Sequence, residues 1–219
     1  MSKTHVAIIG GGCAGLSAAA TLVERGYAVT LFEASPHLGG RARTVLVENN
    51  SLMYVLDNGQ HILLGAYRET LNLLNKVGVD EAEAFLRVPL KINLHSASSA
   101  PDFLLKSESL LPAPLNLLFG LFGCEGLSFT ERAAAIKLMA QLKMNGYQIA
   151  TDTALEAFLL SKNQHARLIE VLWEPLCLAA LNTPIAVAST RIFLNVLRDS
   201  FTGNKKNSDF LIPKLDLSK

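Results

Sequence analysis

The sequence predicts an α/β fold with parallel strands, and three features of its first 33 residues support this prediction. A short apolar run rich in β-branched residues, His5 to Ile9, is typical of a buried strand. Three glycines follow at the spacing G-x-G-x-x-G and lead into a helical pattern. A second apolar run, Ala28 to Phe32, ends at an acidic residue, Glu33. This order of elements is typical of one mononucleotide-binding half of a Rossmann unit.

Each glycine of the first turn has a physical role. Gly10 allows a tight turn, Gly12 lets a pyrophosphate approach the backbone, and Gly15 lets the helix pack close to the strand. Cys13 and Ala14 lie between the last two, where the helix N-terminus offers free N–H groups to phosphates. The sequence therefore predicts a dinucleotide site here, with Cys13 as a small spacer.

The acidic residue after the second strand restricts the ligand. Glu33 follows Gly15 by 18 positions, where a carboxylate can accept hydrogen bonds from a ribose diol and repel a 2′-phosphate. We include the adjoining Ala34 in the predicted site. The alternative is a glycine turn without a dinucleotide, which would not require this acid.

Composition excludes several classes of protein. Half of the 219 residues are apolar and the formal net charge is +1, so no basic face indicates a nucleic acid partner. The three cysteines are odd in number and widely spaced, which predicts neither a disulfide framework nor a metal site. We expect a cytoplasmic protein without a signal peptide or a transmembrane helix.

A second glycine loop follows the Rossmann unit. Gly39, Gly40 and Arg41 offer backbone N–H groups and a guanidinium that can pair with phosphate oxygens, although a solvated basic turn is the alternative for Arg41. Nicotinamide dehydrogenases do not need such a loop. It is expected where FAD lies extended and its pyrophosphate is bound twice, so the sequence favours FAD.

The next segment predicts a hairpin and then a polar loop. Strands at 44–47 and 54–56 flank a turn at residues 48–50, and a helix is predicted over residues 67–77. Between them lie Gly59, Gln60 and His61, which we predict to lie close to a flavin. His61 has two interpretations, as a catalytic group and as a residue that holds the loop by hydrogen bonds.

These motifs together resemble the amine oxidase and phytoene desaturase superfamily of FAD oxidoreductases. The resemblance rests on the glycine turn, Glu33, Gly39-Gly40-Arg41 and Asp57-x-Gly59-x-His61. Two longer runs are similar to the hydroxysqualene dehydroxylases, the squalene-associated desaturase-like flavoproteins of hopanoid biosynthesis: Leu56 to Thr70 and Trp173 to Pro184. One departure is His37, where many relatives carry Arg or Lys before the glycine pair.

The resemblance implies a domain organisation. We expect a Rossmann-type, GR2-like FAD-binding domain interrupted by an α+β substrate domain, with residues 1–85 in the first and 86–219 in the second. No return to the FAD domain is expected after Phe210. The chain then corresponds to a fragment of a protein about twice as long or to a truncated reading frame, and we expect it to bind FAD weakly by itself.

The resemblance also implies a function. We expect a flavin-dependent oxidoreductase that acts on a polyprenoid, with reductive dehydroxylation of hydroxysqualene to squalene as the first hypothesis. The alternatives are a carotenoid or phytoene-type desaturase, an amine oxidase-like flavoenzyme, and a non-catalytic dinucleotide-binding fragment. No catalytic residue is fixed. Beside His61, the other candidate is Glu174, which can donate a proton to a leaving hydroxyl if it is buried, or is a solvated carboxylate at a helix end.

The second half predicts two strands, at 89–95 and 102–105, followed by four helices. Capping boxes predict the first two helices, with Ser128 and Glu131 opening one that runs to about residue 145, and Thr153 and Glu156 opening one over 154–161. The third is expected from about residue 164 to Pro175, and the fourth from about 189 to 201.

One apolar segment, Leu110 to Leu127, stands between the predicted strands and helices. Its prolines and glycines break a spanning helix. We expect one of two roles for this segment. It contacts the inner membrane surface or covers a tunnel for the apolar substrate, or else it is a buried connector.

Overall fold

The computed structural model describes residues 3–58, 62–95, 102–107, 111 and 113–214. Its backbone divides into two compact units. Unit 1 comprises Met1–Leu63, Arg68–Arg87 and Leu211–Lys219, and unit 2 comprises Leu64–Tyr67 and Val88–Phe210. The division concerns packing alone, so the assignment of cofactor to residues 1–85 and of substrate to 86–219 stays a prediction.

Unit 1 begins with the predicted strand, helix and strand. Strand β1 spans His5–Ile9, helix α1 spans Cys13–Glu24, and strand β2 spans Ala28–Phe32. The two strands are parallel, with His5 opposite Ala28 and Ile9 opposite Phe32. The α/β prediction for this segment is confirmed.

The hairpin that follows is longer than predicted. Strand β3 spans Thr44–Asn49 and pairs antiparallel with strand β4, Leu52–Asp57. The turn lies at Asn50 and Ser51, both with positive φ, and not at residues 48–50. Two left-handed residues form the tight turn that matches strand twist, so pairing continues to Asn49 and Leu52.

Much apolar surface of unit 1 is exposed. Helix α1 has no fully buried residue, and Ile9 at the end of β1 is 90% exposed. In the hairpin, Leu46 and Val55 are 66% and 68% exposed. A parallel pair of strands is normally covered on both faces. We therefore expect this unit to be poorly soluble when prepared by itself.

The remaining elements of unit 1 are short. Helices α2 (Arg68–Lys76) and α3 (Glu81–Ala84) accompany a three-stranded sheet in the order β5 (Leu63–Leu64), β9 (Phe210–Pro213), β6 (Phe85–Val88). Leu211 is fully buried against Leu63 and Phe85. Strand β9 therefore brings residues 211–213 into unit 1, whereas the expectation that the chain does not return to the FAD-binding domain after Phe210 stays a prediction. Alternate residues of β9 are buried, which explains why this strand joins the sheet.

Unit 2 combines one antiparallel hairpin with helices. Strands β7 (Lys91–Leu94) and β8 (Phe103–Lys106) pair as predicted. In the described ranges, six α-helices follow: α4 (Leu115–Phe122), α5 (Phe129–Met144), α6 (Leu155–Ser161), α7 (Ala166–Leu168), α8 (Glu174–Leu181) and α9 (Thr190–Phe201). Their shared core includes Phe103, Trp173 and Phe193, each at most 2% exposed.

Only the first predicted capping box forms. Ser128 Oγ accepts the N–H of Glu131, whose carboxylate accepts the N–H of Ser128 at 2.8 Å. The box at Thr153 is wrong, because α6 begins after Ala154 without a side-chain cap. The N–H groups of Leu155 and Glu156 instead donate to backbone carbonyls of Ala188 and Ile185.

The predicted end of the third helix near Pro175 is also wrong. Helix α7 passes into a π-helical turn, Ile169–Trp173, and α8 continues directly from it. Pro175 falls in the first turn of α8, where a missing N–H is tolerated. The helix ends instead at Asn182, which has a left-handed backbone.

Candidate functional site

The glycine turn has the geometry of a ligand cradle. Gly10 has φ +101°, and its N–H donates to the carbonyl of Phe32 at 2.7 Å. A Cβ atom at Gly15 would overlap the Gly10 carbonyl oxygen, so helix and turn meet with no room for a side chain. A Cβ at Gly12 would meet nothing nearer than Gly40 Cα at 3.9 Å, so the backbone is open to a ligand there.

The second glycine loop lies directly against the first. The N–H of Gly39 donates to the Gly11 carbonyl at 2.8 Å, and Gly12 and Gly39 form a parallel bridge. A Cβ at Gly40 would lie 3.3 Å from Gly12 Cα. The two loops, Gly10 to Gly15 and Gly39 to Gly40, thus form one continuous backbone surface, the glycine cradle. The sequence predicted both loops but not the hydrogen bond that joins them.

Glu33 is fixed beside this cradle. Its Oε1 accepts the N–H of Ser35 at 2.8 Å and its Oε2 accepts the N–H of Gly11 at 2.5 Å. These two backbone hydrogen bonds, Ser35 first and then Gly11, lower the pKa of Glu33 below its usual range. An ionised carboxylate has about four lone-pair sites, so it can still accept hydrogen bonds from a ribose diol.

A titration is expected from this arrangement. Because the folded-state pKa of Glu33 is lowered, its carboxylate stabilises unit 1 above the unfolded pKa, and this contribution is lost as pH falls through the folded pKa. The amide NMR shifts of Gly11 and Ser35 should titrate together, with a midpoint below the ordinary pKa of a glutamate.

The Glu33→Gln variant is the control for this titration, since it keeps the shape of the side chain and removes its charge. Both amide shifts should then stay constant over the same acidic range. A midpoint in the wild type at or above the ordinary glutamate range would contradict the assignment.

The structure places some of the predicted cofactor residues together and leaves others undescribed. Cys13 and Ala14 begin α1 at the cradle, and the Cys13 thiol is exposed and free. Arg41 is exposed, and its carbonyl accepts a hydrogen bond from Asn58 Nδ2 at 3.3 Å. The predictions for Gly59, Gln60 and His61 lie outside the described residues.

The cradle fits a dinucleotide. Helix α1 has no side-chain cap, so its first N–H groups have no side-chain acceptor, and the open backbone at Gly12 admits a pyrophosphate. The fixed carboxylate of Glu33 is suited to a ribose. The cradle and Glu33 are thus suited to a pyrophosphate and an adenosine ribose, respectively, while their roles in binding stay predictions.

Glu174, the second catalytic candidate, lies in unit 2. It is half-buried in the first turn of α8, directly after the π-helical turn. With Glu156 and Glu170 it lines an open pocket of about 340 Å³, whose other side is formed by Pro184 and Ile185. The pocket gives Glu174 access to a small molecule, while its role as a proton donor stays a prediction.

Helix α4 lies within the apolar segment Leu110 to Leu127, and its two faces differ in exposure. One face, which includes Leu117 and Leu121, is buried. The other carries an outer row of large apolar residues, Leu115, Phe119 and Phe122, which are 43%, 56% and 60% exposed. Helix α4 is therefore buried on one face and presents an apolar surface on the other.

The described part of the chain lacks two further features. There, no helix is long and apolar enough to cross a membrane. Nor do three or more His, Cys, Asp or Glu side chains in those ranges come together in a way that could hold a metal ion.

Comparison with known proteins gives consistent results. The family model for flavin containing amine oxidoreductases matches residues 13–206. Hydroxysqualene dehydroxylase of Zymomonas mobilis is 41% identical over 80 residues, which cover 36% of this chain and 18% of that protein. Zeta-carotene desaturase of Synechocystis is 25% identical over 188 residues, covering 80% of this chain and 37% of that protein.

Solved structures match over nearly the whole chain. An oxidoreductase from Methanosarcina mazei aligns with a TM-score of 0.64 at 19% identity, covering 96% of this chain and 45% of that one. At this identity the match concerns the fold alone. The chain spans less than half the length of the proteins it matches here.

Proposed function

Since this chain belongs to the family of flavin containing amine oxidoreductases, we propose that it forms the adenosine-binding half of an oxidoreductase that acts on a polyprenoid. Its cofactor is FAD. The observation that carries the proposal is the glycine cradle, in which two hydrogen-bonded glycine loops and a fixed Glu33 offer separate positions for a pyrophosphate and a ribose.

The proposed reaction is the reductive dehydroxylation of hydroxysqualene to squalene. The 41% identity to the Zymomonas dehydroxylase over 80 residues supports this proposal. Reduced FAD, which the glycine cradle and Glu33 would hold, would supply the hydride that replaces the hydroxyl, and with one proton the hydroxyl would leave as water. Glu174 is the proposed proton donor for that hydroxyl, since it lines the open pocket of unit 2.

This reaction is tested with protein expressed from the complete open reading frame. The protein is loaded with FAD, reduced without oxygen, and mixed with hydroxysqualene, and flavin reoxidation is followed by its absorbance. We expect reoxidation with one squalene formed per flavin. Reduced flavin that persists in the presence of hydroxysqualene would exclude the dehydroxylation.

A carotenoid desaturase is the second candidate function. The 188-residue similarity to zeta-carotene desaturase supports it, since this alignment extends far into unit 2. A desaturase runs the cofactor in the opposite direction, so oxidised flavin should be bleached by a polyene substrate such as phytoene. Bleaching of the same oxidised flavin by a polyamine, in place of the polyene, tests the amine oxidase alternative. A protein that binds FAD and responds to none of these would be a non-catalytic dinucleotide-binding module.

We also propose that the cytoplasmic protein contacts the inner membrane surface through the outer row of α4. Because its three large apolar side chains lie on one helix face, they can insert together among lipid tails. The double variant Phe119→Ser and Phe122→Ser should lower co-sedimentation with phosphatidylethanolamine–phosphatidylglycerol vesicles by about 10-fold or more.

Phe129→Ser is the matched control, since Phe129 is 72% exposed at the start of α5 and lies outside the outer row. This variant should bind vesicles like the wild type. Equal losses in both variants, or no loss in either, would show that the row is not the membrane contact.

A further inference from the structure

Arg43 lies between the glycine cradle and β3 with its backbone held on both sides. Its N–H donates to the Arg41 carbonyl at 3.2 Å, and its own carbonyl accepts the N–H of Asn58 at 2.9 Å. The loop that leaves Gly40 is thus tied to the segment that follows β4. Its direction from the cradle is therefore fixed by backbone hydrogen bonds.

The Arg43 side chain is partly buried and lacks an acceptor. Its Nε is shielded from solvent and has no hydrogen-bond partner. Across the described ranges, no carboxylate forms an ion pair with its guanidinium. A buried guanidinium nitrogen without an acceptor is costly, so such a group is usually completed by an anion.

The positive charge of Arg43 acts on the Glu33 carboxylate, but the two side chains form no ion pair. Arg43 is among the groups that lower the pKa of Glu33, after the hydrogen bonds from Ser35 and Gly11. The oxygens of Glu33 are bonded to those two N–H groups. The guanidinium therefore adds positive charge in the surroundings of Glu33, and its Nε is left for another acceptor.

We propose that Arg43 binds the pyrophosphate of the dinucleotide held in the glycine cradle. This inference rests on the proposed function, since it needs the dinucleotide. A guanidinium presents paired N–H donors that match phosphate oxygens, and such charge-assisted hydrogen bonds are about twice as strong as neutral ones. Arg41 resembles the phosphate-binding position by sequence but is exposed, whereas Arg43 is partly buried and its Nε has no hydrogen-bond partner.

The test compares Arg43→Gln, Arg43→Lys and Arg25→Gln in protein from the complete open reading frame. Arg25 is an exposed residue of unit 1 at the C-terminal end of α1, so it is the matched control. FAD affinity is measured by quenching of flavin fluorescence, ADP affinity by calorimetry, and melting of the ligand-free protein by circular dichroism. We expect Arg43→Gln to weaken both ligands about 10-fold or more without changing the melting temperature. Arg43→Lys should lose less, and Arg25→Gln should bind like the wild type.

Each other outcome overturns the inference. Unchanged affinity in Arg43→Gln excludes a contact, and a matching fall in the melting temperature assigns Arg43 a structural role. A loss for FAD but not for ADP places the contact on the flavin half. If the wild type binds neither ligand, the proposed cofactor is wrong and the inference about Arg43 fails with it. If the wild type binds both ligands, the proposed cofactor stands, and the variants then test the role of Arg43 alone.

Discussion

Replacing Gly15 with alanine should abolish FAD binding and destabilise unit 1, whereas Gly12→Ala should weaken FAD binding strongly and leave the fold intact. At Gly15, the new methyl group would overlap the Gly10 carbonyl oxygen. This oxygen belongs to the backbone, so it cannot move away as the end of a flexible side chain could. At Gly12, φ is −78°, which alanine adopts freely, and the nearest atom is 3.9 Å away. The methyl group at Gly12 would instead occupy the space proposed for the pyrophosphate.

Both variants are measured by FAD titration and by thermal unfolding of the ligand-free protein. For Gly15→Ala we expect a destabilisation of about 1–3 kcal/mol, typical of overpacking, together with loss of binding. For Gly12→Ala we expect the wild-type melting temperature and an FAD affinity lower by about 100-fold, as for a lost group of charge-assisted hydrogen bonds. A Gly12→Ala protein that binds FAD normally would show that the ligand does not approach this backbone.

The second large effect is expected from Trp173 in the core of unit 2. This side chain is 2% exposed, meets Phe193 edge to face with ring centroids 6.4 Å apart, and donates from Nε1 to Gln164 Oε1 at 2.9 Å. Trp173→Ala should cost about 3–5 kcal/mol of unfolding free energy. Since a domain is stable by only about 5–15 kcal/mol, this cost is a large fraction of the stability of unit 2.

Urea unfolding followed by far-ultraviolet circular dichroism measures this cost. Phe129→Ala is the control, because this exposed residue should change the unfolding free energy by less than about 0.5 kcal/mol. Trp173→Phe separates packing from hydrogen bonding: it keeps a ring against Phe193 but leaves Gln164 Oε1 without its donor, at about 1–3 kcal/mol. A Trp173→Ala protein as stable as the control would contradict the assigned core.

The parts of the fold that the sequence predicted well are those determined by local signals. The strand, glycine turn and helix from His5 to Glu24 follow from apolar periodicity and glycine spacing, and both lie within one short stretch. The capping box of α5 was predictable for the same reason, because its hydrogen bonds join only Ser128 and Glu131.

The predictions that were wrong depended on distant partners. Thr153 and Glu156 have the spacing of a capping box, yet carbonyls from Ala188 and Ile185 reach the first N–H groups of α6 instead. Pro175 ordinarily ends a helix, but a π-helical turn shifts it to a first-turn position where it is tolerated. No pattern within a few residues contains such information.

The candidate site shows the same division. Glycine spacing and Glu33 were visible in sequence, because each motif carries its own chemistry. The bond from Gly39 to Gly11 was not visible, and neither was the unpartnered Nε of Arg43. Both depend on how two loops meet in space, which their spacing along the chain does not determine.

The position of β9 between β5 and β6 has a consequence for the order of events during synthesis. Each outer strand pairs with β9 in this sheet. In the sequence, β9 comes after both outer strands and is separated from them by most of unit 2. Until the ribosome has released residues 210–213, the two earlier strands have no partner in the sheet. Such non-local pairing is slow to form and leaves strand edges available to other chains. Unit 2 is therefore expected to fold first, and a nascent chain that pauses before β9 is the form most exposed to aggregation.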